Sequence, residues 1–124
     1  MKNNKVLIIE DEEELCYILK RFLSKKRFDV DYAMNLKDGL DCLKKTDFDV
    51  LILDNNLPDG KGMDLIPRIR AAMPKITIIA ISALGLKPSA LAAGASFFIE
   101  KPVSLSEIYH MITSLQFPKM TLNN

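Results

Sequence analysis

A chain of 124 residues, 48% hydrophobic and 27% charged, fits one globular domain with a real core and leaves no room for two. Seventeen basic against sixteen acidic residues give a net charge of +1, which argues against direct nucleic-acid binding, and no apolar run approaches the roughly 20 residues of a bilayer span. No signal peptide opens the chain, its two cysteines (Cys16 and Cys42) lack metal-ligand spacing and His110 stands alone, so a cytoplasmic protein without disulfides, zinc or haem is expected.

Val6-Leu7-Ile8-Ile9 is a continuous apolar run, as expected of a first strand covered on both faces. From Glu12 onward, Leu15, Ile18, Leu19, Phe22 and Leu23 recur at helical spacing, with Cys16 a small filler in the same pattern. Phe28 to Ala33 alternates around Asp29 and Asp31 like a short edge strand, and Leu36, Leu40 and Leu43 mark a second helix. Val50 to Leu53 is a third strand, running into Asp54-Asn55-Asn56-Leu57-Pro58-Asp59-Gly60, a predicted functional loop. A third helix follows on Met63, Leu65, Ile66, Ile69 and Met73, with a local irregularity expected at Pro67. Ile76 to Ile81 is the fourth strand and Ser96 to Ile99 the fifth. Between them, Pro88 and Gly94 bracket a helix of barely two turns. Leu105, Ile108, Met111, Ile112 and Leu115 give the last helix its apolar face, behind a capping box of Ser104 and Glu107. Five alternations of strand and helix predict a doubly wound α/β fold over residues 1–118, a five-stranded parallel sheet with helices on both faces. Residues 119–124 read as a tail or the start of a linker.

In open parallel sheets a ligand sits beyond the carboxyl ends of the strands. The residues there are Glu10 and Asp11, Asp54, Ser82 and Lys101. Each has an ordinary reading: acids at a helix start, a turn residue, a helix cap, and an exposed lysine before Pro102. Together, four positions of complementary chemistry ending four apolar strands favour one shared site. If the first and third strands are neighbours, their ends stand about 5 Å apart, so Glu10, Asp11 and Asp54 can share a cation. A hard, octahedral ion that keeps several waters suits such a cluster, which points to Mg2+ over zinc and leaves calcium open. With its charge screened, Asp54 becomes a usable nucleophile toward phosphorus, giving an aspartyl phosphate. The short hydroxyl of Ser82 and the long cationic arm of Lys101 suit a phosphoryl group held there.

Across residues 5 to 115 the chain resembles the receiver domains of two-component response regulators. Glu10-Asp11, Asp54, Pro58, Gly62, Ser82-Ala83 and Lys101-Pro102 all fall on that family's pattern. The resemblance implies a flavodoxin-like sheet of order 2-1-3-4-5, with Asp11 and Asp54 ligating Mg2+ directly. Glu10 would act partly through water, and Asn56 would lend its backbone carbonyl as a further metal ligand. It also implies a phospho-acceptor at Asp54 and a switch in which Ser82 moves onto the phosphoryl group as Phe98 turns inward. The implied partners are a sensor histidine kinase or phosphotransfer protein upstream and an effector domain or protein downstream, with a homodimer left open. The chain would catalyse only its own phosphorylation and dephosphorylation, with Asn56 and Leu84 at positions that tune hydrolysis.

One departure concerns output. Ser82 and Lys101 are 19 positions apart, fewer than the family usually has, so the fourth helix should be short and the partner face around it altered. A haloacid-dehalogenase-like phosphatase also uses an aspartate after a buried strand, but needs an acid where this chain has Asn56. A flavodoxin-like cofactor binder lacks its glycine-rich loop here, and an unphosphorylated docking module stays open as an alternative. No effector domain follows Leu115, and a single-domain regulator and a receiver cut from a longer chain both fit.

Overall fold

The computed structural model describes residues 4–83 and 85–116, the last two without their side chains. The expectations for Leu84, for the side chain of Leu115 and for a tail or linker at 119–124 lie outside that description. In chain order the elements are β1 (Lys5–Ile9), α1 (Glu13–Lys25), β2 (Asp29–Ala33), α2 (Leu36–Lys45), β3 (Val50–Asp54), β4 (Asn56–Leu57) and β5 (Gly60–Lys61). They continue with α3 (Gly62–Ala72), β6 (Thr77–Ser82), α4 (Lys87–Ala93), β7 (Phe97–Glu100) and α5 (Leu105–Gln116).

Five strands form one parallel sheet of order β2-β1-β3-β6-β7. This is the expected 2-1-3-4-5, once the two-residue pair β4–β5 is set aside. Period-two alternation sorts each strand between two apolar layers. Val6, Ile8, Val50, Ile52, Ile79 and Ile81 pack with Leu19 and Leu23 of α1 and Ile108 and Ile112 of α5. Leu7, Ile9, Leu51, Leu53, Ile78 and Ala80 pack with Leu43 of α2 and with Ile66 and Ile69 of α3. Covering both faces explains why these strands are unbroken apolar runs, each large side chain contributing about 1.5–3 kcal/mol on burial.

Three details differ from the sequence expectation. The predicted loop after Asp54 is a tight antiparallel hairpin, with Asn56 opposite Lys61 and Leu57 opposite Gly60. A turn-rich composition cannot distinguish an open loop from a two-residue hairpin around Pro58-Asp59. Helix α3 runs uninterrupted through Pro67, since proline forfeits only one hydrogen bond while Ile66 and Ile69 beside it are fully packed. At α5 only half of the capping box forms: Glu107 N donates to Ser104 Oγ at 3.3 Å. Helix α4 is short as expected, seven residues ending at Gly94 with φ 120°.

Candidate functional site

Four strands deliver the site. Glu10 follows β1 directly, its backbone N–H bonded to Ala33 O at 3.0 Å and its side chain without exposed surface. Its Oε2 accepts from Glu12 N at 3.0 Å, so this carboxylate also holds the entrance of α1, whose N-cap Glu12 makes no side-chain cap of its own. Asp54 ends β3 at 2% exposure and Ser82 ends β6 at 1%. Lys101 follows β7, and its N–H donates to Ser82 O at 2.8 Å, tying the lysine to the end of the neighbouring strand.

From there the ammonium of Lys101 reaches inward. Nζ lies 3.4 Å from Asp54 Oδ1, 3.4 Å from Glu10 Oε1 and 3.2 Å from Glu12 Oε1. Glu10, exposed Asp11 and Asp54 each offer a carboxylate oxygen, all within 4.8 Å of one another. Asp54 Oδ2 and Ser82 Oγ are buried without a hydrogen-bond partner, and Glu10 Oε1 has only its ion pair with Lys101. Buried polar atoms are seldom left in that state, and unpartnered anionic oxygens are hard donors. The donor set therefore fits a hard divalent cation, with Asp11 on the open side.

The electrostatics carry the same strain. Burial pushes the Glu10 carboxyl up to about 7 against the bond from Glu12 N, and the negative charge of Asp54 adds to the rise. Burial also raises Asp54, with Lys101 opposing. Burial works against the Lys101 ammonium, but Asp54 and then Glu10 overbalance it and lift the group to about 12, so it stays charged at neutral pH.

Glu10, Asp11, Asp54 and Lys101 are thus brought together, and Ser82 lies one position beyond Ile81, the residue paired with Asp54. Asn56 sits exposed in β4, its side-chain oxygen accepting from Lys61 Nζ at 2.8 Å. Phe97 and Phe98 are half-buried on opposite sides of β7, Phe97 on the α1–α5 layer and Phe98 on the other, as strand alternation predicts. Cys16 is buried, its Sγ donating to Glu10 O at 3.1 Å, and burial followed by Glu10 raises the thiol to about 12, so it is inert filler.

Three residues escaped the sequence reading. Glu12 looks like one of a run of helix-start acids, yet it gives Lys101 its shortest contact. Buried Asn55 ties β3 to α3, its Oδ1 accepting from Met63 N at 3.0 Å and its carbonyl from Gly62 N at 2.8 Å. A Cβ at Gly62 would collide with Asp54 O, which gives that glycine its reason. Asp59 caps α2 from outside, accepting from Leu36 N at 2.8 Å and Lys37 N at 3.0 Å, and these bonds hold its carboxyl below the usual range. A contact spanning more than 20 positions leaves no local signal.

Residues 6–113 match the family model described as response regulator receiver domain. The response regulator protein PilR of Pseudomonas aeruginosa is 32% identical over 117 residues, 92% of this chain and 26% of PilR. The chain thus spans about a quarter of that relative's length. Among solved structures, a two-component response regulator from Clostridium difficile matches with a TM-score of 0.86 at 26% identity, covering 94% of this chain and 98% of that one. The beryllofluoride-activated NtrC4 receiver domain dimer matches with a TM-score of 0.83 at 30% identity, covering 89% and 93%.

Proposed function

The chain belongs to the response regulator receiver family of two-component signalling, and from that premise we propose that Asp54 takes up a phosphoryl group from the phosphohistidine of a sensor kinase or phosphotransfer protein. The observation that carries this reading is the Lys101 ammonium 3.4 Å from Asp54 Oδ1 while Asp54 Oδ2 stays buried and unpartnered. Mg2+, bound by Glu10, Asp11, Asp54 and the backbone carbonyl of Asn56, would supply the pocket with positive charge and a coordination place for a phosphoryl oxygen.

The remaining work falls to the chain's own residues. An Asp54 carboxylate oxygen forms the bond to phosphorus as the donor's bond breaks, its electron pair leaving with the donor nitrogen. Burial, by raising the affinity of Asp54 for a proton, also makes it a better nucleophile. Lys101 follows the new negative charge onto a phosphoryl oxygen, and the unspent hydroxyl of Ser82 donates to another. Ser82 and Phe98 stand on the paired strands β6 and β7, and in the proposed switch Phe98 turns inward as Ser82 moves, packing by side-chain shape alone because it has no hydroxyl to bond. Beside the pocket, a groove of about 290 Å3 lined by Glu12, Leu15, Ile18, Lys101 and Val103 gives the donor protein a partly apolar seat. Output passes to an effector domain or protein, and a homodimer such as the one named for NtrC4 is one form it can take. A phosphatase acting on outside substrates is disfavoured, since Asn56 stands where its general acid is needed.

Incubation with acetyl phosphate and Mg2+, followed by intact mass measurement, tests the proposal. The wild-type chain should gain one phosphoryl mass and Asp54→Ala none. An equal gain in the variant would place the acceptor elsewhere, and steady phosphate release from an unrelated monoester would favour the phosphatase.

A further inference from the structure

Helix α1 carries two stripes. Cys16, Leu19 and Leu23 are buried against the sheet, whereas Tyr17, Lys20, Arg21 and Ser24 recur at i, i+3, i+4 and i+7 and are all exposed. With Tyr32 of β2 they line a groove of about 320 Å3, within the roughly 300–1,000 Å3 of ligand clefts. Tyr17 is 59% exposed and Tyr32 39%, two of the four large hydrophobic residues that the described surface leaves open. Each ring is steadied by a cation: Arg21 Nη1 donates to Tyr17 Oη at 3.3 Å, and Lys20 Nζ stands 5.7 Å from the centre of the Tyr32 ring. Among the described residues neither Lys20 nor Arg21 has an acidic partner within ion-pair distance.

Strand alternation explains why the acids of β2 stay off this side. Val30 and Tyr32 take the α1 side of β2, which sends Asp29 and Asp31 to the other. There Asp29 pairs with Lys5 at 3.9 Å, and Asp31 lies by Cys42 of α2, whose thiol is raised by burial and then by that carboxylate. The groove is left with two aromatic faces, a hydroxyl and two unmatched cations. It lies at the β2 edge of the sheet, the opposite edge from β7, and shares only helix α1 with the groove beside Lys101.

We propose that this groove binds an acidic segment of a partner protein, which sets carboxylates on Lys20 and Arg21 and lays an apolar side chain against the tyrosines. Tyrosine and arginine are among the side chains most enriched at the energetic centres of protein interfaces, and a guanidinium already turned by its tyrosine takes a carboxylate with little further ordering. Edge-to-edge pairing of two copies through β2 is disfavoured because Asp29 and Asp31 would face their own kind.

The test is a titration of the 15N-labelled 124-residue chain with a synthetic peptide alternating glutamate with leucine and phenylalanine, followed by amide shifts. Shifts should concentrate at Tyr17, Lys20, Arg21, Ser24 and Tyr32. The double variant Lys20→Glu/Arg21→Glu should lose at least about tenfold in affinity, close to 1.4 kcal/mol, while taking up phosphoryl mass from acetyl phosphate as the wild type does. Tyr32→Ala, which leaves both charges in place, should weaken the peptide by a smaller factor. Unchanged binding in the double variant, or shifts scattered over the surface, would overturn the proposal. So would tighter binding of an oligothymidylate in the same groove, which would make it a nucleic-acid site.

Discussion

Strand β3 holds two physical regimes within five residues. Val50, Leu51, Ile52 and Leu53 are buried among apolar partners from both layers, and their side chains carry no polar atom to satisfy. Asp54, next along the same strand, is equally buried but carries a carboxyl group, with one oxygen lacking a hydrogen bond and a second acid, Glu10, beside it. The sheet interior is arranged for stability, and its carboxyl edge holds a charge cluster that burial disfavours. Natural chains keep such local conflicts mainly where function requires them.

Deleting atoms from the interior should have the largest effect. Ile52→Ala opens a cavity in the α1–α5 layer and should cost about 2–5 kcal/mol, read from urea unfolding with an unchanged m-value. At the edge the sign reverses. Glu10→Gln keeps the shape and the bond to Glu12 N while removing a carboxylate whose ionised form burial disfavours, so in metal-free buffer above pH 7 it should stabilise the chain by about 1–3 kcal/mol. The pH dependence follows from the same group. Its carboxyl titrates near 7 when folded against 4.5 ordinarily, so between those values the folded chain holds the proton longer than the unfolded one. Stability of metal-free wild type should therefore fall as pH rises through that window, and Glu10→Gln should flatten the slope. A wild type that grows more stable from pH 5 to 7 without metal would break the comparison. The smallest effect belongs to Asp59, whose carboxylate caps α2 in full exposure. Asp59→Ala should lower the melting temperature slightly at neutral pH. The difference should vanish as pH falls through the depressed pKa of the wild-type group, because the cap is present above that value and lost below it.

The interior was legible in the sequence because it is made of runs. Four apolar segments, each ended by a polar residue, give the strands, the sheet class and the positions of Glu10, Asp54, Ser82 and Lys101 without reference to coordinates. What pattern does not carry is contact between distant segments. Nothing near Glu12 announces that it meets Lys101, and nothing near Asp59 announces that it holds the first turn of α2. Asn55 looked like one more turn residue, although its side chain is a fixed link between β3 and α3. The groove at Tyr17, Lys20 and Tyr32 was hidden for a related reason: no local pattern in α1 tells that β2 sets a tyrosine beside its basic residues.

The claim that joins these observations is that Glu10, Asp11 and Asp54 form one divalent-cation site, and urea unfolding with and without Mg2+ tests it most directly. Ligand binding to the folded state alone must raise the midpoint. Mg2+ should raise it for the wild-type chain and leave Asp54→Asn nearly unmoved. A wild-type midpoint indifferent to Mg2+, or an equal rise in Asp54→Asn, would contradict the account.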